Sequence, residues 1–290
     1  MQFWQFLPFM EVEQLNGIAH IAEEVGFEGV LLGDHAIFPE QLSSRYPYTP
    51  DGKPGFGPGT DWPDPWVAIS SMAAVTQRLR FGTAVYILPL RDPFTVARSV
   101  ATASRLSGGR VTLGTGAGWM REEFRLFGVD FARRGRRYDE MICVLRKLWQ
   151  GGMVEHHGEF FEFASLEVTP TPSAPIPIYV GGNSPAALRR AAHLGDGWIS
   201  AGSLPEEIPG VVERLRILRR EAGREVEPFE IFVALGAAPD ADLFRRVEDQ
   251  GVTAIVHWPF SYWLGPRSAL EQKRAGLEKY AESYIVPLRG

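Results

Sequence analysis

The sequence predicts a (β/α)8 barrel formed by one domain over residues 1–290. Eight apolar strand-like segments alternate with helix-like segments, which is typical of a parallel sheet covered by helices. The 31 glycines and 22 prolines fit a fold with many short turns. An open doubly wound sheet is the alternative. That fold usually has fewer strands and a glycine-rich fingerprint after its first strand, which this sequence lacks.

Four strand–helix units occupy the first half of the chain. The predicted strands are 3–9, 29–33, 79–88 and 110–114. The first helix covers about 11–25 and ends at Gly26, a residue suited to a helix C-terminus. Asp64-Pro65 and Asp92-Pro93 each combine an N-cap residue with a proline at the first helical position. A helix over about 134–149 carries an apolar stripe at helical spacing.

The second half of the chain repeats this pattern. The predicted strands are 176–180, 197–200, 229–235 and 252–257. Ser184-Pro185 marks the start of the first helix here, and further helices are expected at about 205–221 and 240–250. The last helix is expected to start at Ser268, because Ser268-x-x-Glu271 is typical of a capping box.

Two connections are longer than normal barrel loops. Residues 36–63 follow the second strand and include Tyr46, Tyr48, Phe56 and Trp62, so we expect an aromatic lid on the catalytic face. Residues 151–175 form an inserted hairpin before the fifth strand. The hairpin is expected on the opposite face unless it folds over.

Composition excludes several classes of protein. A net charge of −5 argues against broad nucleic-acid binding. No apolar run is long enough for a membrane helix, and the N-terminus lacks the pattern of a signal peptide, so a cytoplasmic protein is expected. The single Cys143 excludes an internal disulfide and is expected to be an inert buried thiol. The histidines do not form a metal site.

Candidate catalytic residues lie where the second strand ends. Asp34 and His35 place a carboxylate beside an imidazole, and such groups can hold or donate protons near neutral pH. A polar turn with a capping aspartate is the alternative. His257 ends the eighth strand and could face the same cavity or be a structural histidine.

Small residues at other strand ends would allow a ligand to approach the backbone. Two such segments are 82–85, for which tight packing is the favoured interpretation, and 114–118. The second fails the dinucleotide fingerprint, because Trp119 stands where its third glycine would be.

Residues 180–185 are the best candidate for an anion site. Two glycines end a strand and a capped helix begins, so free N–H groups would meet the positive end of the helix. An ordinary capped turn is the alternative. Four arginines at 133, 134, 136 and 137 open another helix. A solvated face is the default interpretation, and salt bridges or a ligand anion are the alternatives that could balance them.

Together, motifs over about residues 10–200 resemble the luciferase-like monooxygenase family, of the type that uses the deazaflavin coenzyme F420. The resemblance rests on segments in the same order along the chain. They are Gly33-Asp34-His35, Asp64-Pro65-Trp66, Arg80-Phe81-Gly82-Thr83, Gly116-Ala117-Gly118-Trp119, Arg121-Glu122-Glu123-Phe124 and Val180-Gly181-Gly182-Asn183-Ser184. After residue 200 the resemblance fades.

The resemblance implies a cofactor ring across the barrel mouth, with Asp34 and His35 near it to assist hydride transfer. It implies a non-proline cis peptide bond between Ala84 and Val85 behind the ring. The implied contacts with the cofactor are Gly116, Ala117 and Gly118, and the implied phosphate turn is Gly181, Gly182, Asn183 and Ser184. Ala117 stands where some F420-dependent dehydrogenases carry a glutamate acid, which argues against a sugar-phosphate dehydrogenase.

The leading hypothesis is an oxidoreductase that transfers hydride between F420 and an unidentified small organic substrate. One alternative is an FMN-dependent two-component monooxygenase that uses O2 and a partner reductase, and another is a non-catalytic flavin- or deazaflavin-binding protein. A barrel hydrolase or aldolase would need paired carboxylates or a strand-end lysine. Glu122 and Glu123 are the only adjacent acids near the mouth, and we expect them on a helical surface. A homodimer is expected, as in similar barrels.

Overall fold

Eight parallel strands, one of them broken into two segments, close into a barrel in the computed structural model, which describes residues 1–289. Counted segment by segment, the barrel strands are β1 (Gln2–Phe6), β2 (Gly29–Leu32), β3 (Arg80–Thr83), β4 (Tyr86–Ile87), β5 (Val111–Gly116), β8 (Ile178–Gly181), β9 (Gly197–Ile199), β10 (Glu230–Val233) and β11 (Ala254–His257). The order of the sheet is β3-β2-β1-β11-β10-β9-β8-β5-β4, and pairing of β3 with β5 closes it. The predicted closed barrel is confirmed.

Helices cover the outside of the barrel. They are α1 (Leu15–Val25), α2 (Pro65–Ala74), α3 (Pro93–Leu106), α4 (Arg121–Leu126), α5 (Arg134–Trp149), α6 (Pro185–Leu194), α7 (Ile208–Glu221), α8 (Ala241–Asp249), α9 (Leu270–Tyr280) and α10 (Val286–Arg289). The predicted N-caps are confirmed, because Asp64, Asp92 and Ser184 each accept a hydrogen bond from a backbone N–H in the first turn.

The barrel interior is filled by alternate residues of the strands. Trp4 packs on Phe232, and Phe232 on Tyr179, with ring centroids 5.2 and 5.1 Å apart. Residues next to them in sequence point outward, so Phe3 packs against Phe244 of α8. The two-residue period of a strand thus separates the barrel filling from the layer beneath the helices.

All but one of the predicted strands are longer than those observed, and for two of them the backbone shows why. The strand predicted at 79–88 is split into β3 and β4, and the Ala84–Val85 peptide bond between them is cis, as the resemblance implies. The first strand ends at Phe6 rather than residue 9, because the chain turns there and Phe9 has a φ of 60°.

The predicted capping box at Ser268 is wrong by one residue. Ala269 is the N-cap of α9, and its N–H donates to the side chain of Gln272. The backbone of Ser268 is held elsewhere, because its N–H donates to Glu11 and its carbonyl accepts from Lys273.

The prediction that Cys143 is a buried thiol is wrong. Cys143 is exposed. The buried stripe of α5 includes Met141, Ile142 and Leu145, and the helical turn between these positions directs residue 143 to the solvent side.

The inserted hairpin consists of β6 (Val154–His157) and β7 (Glu162–Leu166). It lies along the helix layer, where Phe163 packs on Phe94 with ring centroids 5.2 Å apart and His156 contacts Glu140. At its tip, Glu159 pairs with Arg133 at the start of α5. The hairpin therefore folds over toward the end of α5 nearest the barrel mouth.

Within residues 1–289, no helix has the length and apolar character needed to cross a membrane. Over the same residues, no group of three or more His, Cys, Asp or Glu side chains could hold a metal ion.

The closure of the barrel depends on the missing side chain of Gly114. A Cβ there would overlap the carbonyl oxygen of Thr83 on the neighbouring strand, β3. We expect Gly114→Ala to lower the free energy of unfolding by about 1–3 kcal/mol through overpacking. Gly210→Ala in α7 is the matched control, because a Cβ there meets nothing within 4 Å. This control should be stabilised by about 0.5–1 kcal/mol, and equal urea midpoints for both variants would contradict the prediction.

Candidate active site

A cavity of about 870 Å³ lies at the carboxyl ends of the strands, where barrel enzymes have their active sites. The predicted lid supplies one side of it through Tyr46, Tyr48, Phe56 and Trp62. The lid reaches across the mouth, because a Cβ on Gly182 would be 3.2 Å from the hydroxyl of Tyr48. The aromatic loop therefore lies where the sequence predicts it.

Asp34 borders the cavity as an ion-paired carboxylate. Its oxygens accept from the Arg91 guanidinium at 2.7 and 2.9 Å and from the Ile87 N–H at 3.0 Å. Burial raises the pKa of the Asp34 carboxyl, and the Arg91 charge and these hydrogen bonds oppose the rise. The carboxylate thus joins the end of β2 to β4, through Ile87, and to the segment that follows β4, through Arg91. Its predicted catalytic role stays a prediction.

His35 is oriented by a carboxylate that has no exposed surface. Its Nδ1 lies 3.1 Å from an oxygen of Glu123, which is 0% exposed. The other oxygen of Glu123 accepts from the Ala36 N–H at 2.8 Å. With Nδ1–H donating to Glu123, Nε2 has no protein partner among residues 1–289, and His35 lines the cavity.

Aromatic rings surround the imidazole of His35. The ring centroids of Phe56, Trp62 and Trp119 lie 4.9, 5.0 and 5.7 Å from that of His35. The lid supplies two of these rings, and the glycine-rich loop after β5 supplies the third. The imidazole of His35 therefore lies among apolar rings.

The prediction that Glu122 and Glu123 lie on a helical surface is wrong. Both are buried, with Glu122 6% exposed. Glu122 accepts hydrogen bonds from the backbone N–H and the hydroxyl of both Ser43 and Ser44 in the lid. Sequence reasoning missed these acids because their partners lie about 80 residues away, and nothing in α4 itself signals them.

Val85 forms part of the cavity wall and packs between two glycines. A Cβ on Gly116 or on Gly181 would overlap a methyl group of Val85. Ala84, Ala117 and Gly118 also line the cavity. The residues predicted to contact the cofactor therefore come from three neighbouring barrel strands and form one wall of the cavity. That wall has no long side chain of its own.

The predicted phosphate turn follows β8 and is held by its own hydrogen bonds. The N–H of Gly182 donates to Ile199, and the Asn183 side chain bonds Gly202 and Ala201. Gly181, Gly182 and Ser184 line the cavity, whereas Asn183 does not. The backbone N–H groups of Asn183 and Ser184 have no acceptor within residues 1–289. These groups, rather than the Asn183 side chain, could bind an anion.

His257 packs mainly toward the helix layer, although it borders the cavity. Its ring centroid lies 4.1 Å from that of Tyr280, and its Nδ1 contacts Gln5 at 2.6 Å. Burial lowers the pKa of His257 to about 4, so the ring is neutral at pH 7. His257 therefore has the surroundings of a structural histidine.

The arginines at the start of α5 divide between two environments. Arg133 and Arg136 pair with Glu159 of the hairpin. Arg137 donates to backbone carbonyls. Arg134 lines the cavity and donates to the carbonyls of Gly118 and Phe131. The salt-bridge partner is confirmed for Arg133 and Arg136, whereas a ligand anion at Arg134 stays a prediction.

Comparison with known proteins identifies the family of this barrel. The model of the luciferase-like monooxygenase family matches residues 5–282. The chain belongs to this family. An uncharacterized protein of Mycobacterium tuberculosis is 41% identical over 271 residues, which are 93% of each chain.

Two further similarities concern proteins whose names include a cofactor. An F420-dependent glucose-6-phosphate dehydrogenase of Nakamurella multipartita is 28% identical over 283 residues, covering 94% of this chain and 78% of that protein. An F420-dependent secondary alcohol dehydrogenase, solved with an F420–acetone adduct, superposes with a TM-score of 0.78 over 98% of both chains at 16% identity. The second similarity shows the fold alone.

The attachment of the lid to α4 predicts a pH-dependent stability difference. Burial tends to raise the pKa of Glu122, but hydrogen bonds from Ser43 and Ser44 outweigh it and lower the pKa to about 2. Because the folded-state pKa is lowered, the contribution is complete above the ordinary value near 4.5 and is lost as the pH falls toward 2.

We expect Glu122→Gln to lower the free energy of unfolding by about 1–3 kcal/mol at pH 7 and to speed proteolysis within residues 40–50. The difference from the parent protein should shrink below pH 4.5. Thermal unfolding at several pH values measures it. Glu159→Gln, at an exposed ion pair of the hairpin, is the control for loss of one carboxylate. A difference that is independent of pH would contradict the assignment.

Proposed function

We propose that this protein is an oxidoreductase that transfers hydride between the deazaflavin coenzyme F420 and a small, largely apolar organic substrate. The observation that carries the proposal is His35, which is held by the buried Glu123 with Nε2 free beside a cavity wall of small residues. Membership of a family with an F420-dependent relative supports the choice of coenzyme.

The residues of the cavity fit such a coenzyme. The wall formed by Ala84, Val85 and Gly116 offers a surface without long side chains to a planar ring. The free N–H groups of the turn after β8, with the Ser184 hydroxyl, are suited to a phosphate. When bound, the coenzyme supplies a two-electron hydride carrier, and the protein supplies orientation and electrostatics.

His35 would move the proton that accompanies hydride transfer. Glu123 accepts the Nδ1–H bond and thereby fixes which nitrogen faces the substrate. The negative charge of Glu123 also stabilises the imidazolium when Nε2 takes up a proton, in the way that a buried carboxylate supports a catalytic histidine. Asp34 keeps the neighbouring backbone in place through Arg91.

The lid would exclude water and select the substrate. Phe56 and Trp62 contact His35, and Phe9 packs on both of them with ring centroids 5.7 and 5.3 Å away. An apolar or aromatic substrate would gain from this aromatic surface. Ala117, which cannot act as an acid, argues against a sugar-phosphate dehydrogenase.

An FMN-dependent monooxygenase that receives reduced flavin from a reductase is the second candidate. The family to which the chain belongs favours it, because that family is named for monooxygenases. The same wall and phosphate turn would hold FMN. O2 would then be the co-substrate.

The coenzyme is tested by anaerobic fluorescence titration of the purified protein with oxidised F420 and, separately, with FMN. We expect micromolar or tighter binding of F420 and at least about tenfold weaker binding of FMN. FMN binding alone would replace the proposal by the monooxygenase. Binding of neither would contradict both, and binding of F420 without turnover of any reducible substrate would favour a carrier protein.

We expect His35→Ala to lower turnover by about 10²–10⁴-fold, the range for loss of a general acid or base. The dissociation constant of the coenzyme should change by less than about threefold. His35→Gln keeps a hydrogen-bonding side chain of similar size but cannot carry a proton, so it should lose turnover equally. Single-turnover kinetics measure the effect, and full activity of His35→Gln would remove His35 from proton transfer.

Replacing Glu123 tests its role in positioning and charging His35. Glu123→Gln keeps the size of the side chain but removes the charge that faces the imidazole. We expect turnover to fall at least about tenfold, because the imidazolium formed during proton transfer loses its buried counter-charge. A coenzyme dissociation constant and a melting temperature close to those of the parent separate this effect from a packing defect. Normal turnover of Glu123→Gln would show that the charge of Glu123 is not used.

A further inference from the structure

The cavity is strongly cationic although the protein carries a net charge of −5. Four arginines line it: Arg45, Arg121, Arg134 and Arg190. Asp34 is the one acidic residue among the lining groups that the structure describes, and Arg91 already neutralises it. An excess of guanidinium groups inside a cavity attracts an anionic ligand.

Three of these four arginines have no acidic side chain paired with them in the part of the chain that the structure describes. Within residues 1–289, Arg45, Arg121 and Arg134 form no salt bridge, and the guanidinium groups of Arg45 and Arg121 have no hydrogen-bond acceptor. Arg190 pairs with Asp139. By contrast, Arg133 and Arg136, which lie within two residues of Arg134 in the sequence but outside the cavity, both pair with Glu159.

Three of the four arginines form one group beside the phosphate turn. Arg121 and Arg134 both contact the ring of Phe131, with guanidinium carbons 4.3 and 3.7 Å from its centroid. Arg190 rises from α6, the helix that begins at the turn, and donates to the carbonyl of Gly135, next to Arg134. Burial lowers the pKa of Arg134, and the charges of Arg121 and Arg190 lower it further. An anion bound here would relieve that repulsion.

We propose that Arg121, Arg134 and Arg190 form a second anion subsite, separate from the phosphate turn, that binds the carboxylates of the oligoglutamate tail of F420. This inference rests on the proposed function. The phosphate would occupy the N–H groups of the turn, and the tail would extend over the guanidinium groups toward the solvent, where Arg121 is exposed. FMN has no such tail, so the subsite would also favour the deazaflavin.

The test compares F420 carrying several glutamates with F420 from which all glutamates have been removed, leaving the phosphate in place. Fluorescence titration at low salt gives both dissociation constants. For the parent protein we expect the glutamate-bearing form to bind about five- to tenfold more tightly, as one or two exposed charge-assisted contacts would give. This preference should decline at 0.5 M NaCl because salt screens exposed charges.

Arg121→Glu is the decisive variant. Arg121 is exposed and opens α4, where an acidic residue is favoured over a basic one by the helix dipole, so the fold should be retained. This variant should abolish or reverse the preference for the glutamate-bearing form and leave binding of the glutamate-free form within about twofold. Arg136→Glu has the same change in charge near the same cavity but outside it, and it should keep the preference.

The outcomes separate this inference from the proposed function. Equal affinities of the parent protein for both forms would overturn the tail subsite and leave F420 as the coenzyme. An equal effect of Arg121→Glu and Arg136→Glu would overturn the subsite in favour of a general field. Failure of the parent protein to bind either form would overturn the coenzyme and the subsite together. A melting temperature within about 2 °C of the parent establishes that the variants are folded.

Discussion

The arrangement of the active site depends on two buried carboxylates at the start of a six-residue helix, α4. Glu123 accepts from His35 and Ala36, and Glu122 accepts from Ser43 and Ser44. A buried carboxylate is costly unless hydrogen bonds satisfy it, so each acid requires its partners to be in place. The two acids therefore fix both ends of residues 35–44, which run from His35 into the lid.

The glycine wall imposes a second constraint, which is steric. Val85 takes the space that side chains at Gly116 and Gly181 would need, and Gly114 lies against the backbone of β3. Three neighbouring strands of the barrel thus approach one another closely at the cavity. The absence of long side chains there gives a ligand access to the backbone.

Local signals allowed most of the fold to be predicted. Asp64, Asp92 and Ser184 cap helices because a capping side chain bonds N–H groups within three residues of itself. The strand ends likewise placed Asp34 and His35 at the mouth. What the sequence could not show were interactions between distant segments. The helix that contains Glu122 and Glu123 has the charged composition of an exposed helix. Only the fold brings Ser43 and His35 to these two acids. Ser268 matched a capping pattern, but contacts with Glu11 determined its backbone.

The lid contacts both ends of the cavity. Its Phe56 and Trp62 lie against His35, and its Tyr48 lies over Gly182 at the phosphate turn. A single segment thus covers the places where the two reactants would bind. One opening event would admit or release either of them, so their exchange would be kinetically linked, and the order of release would depend on which is held more tightly while the lid is open.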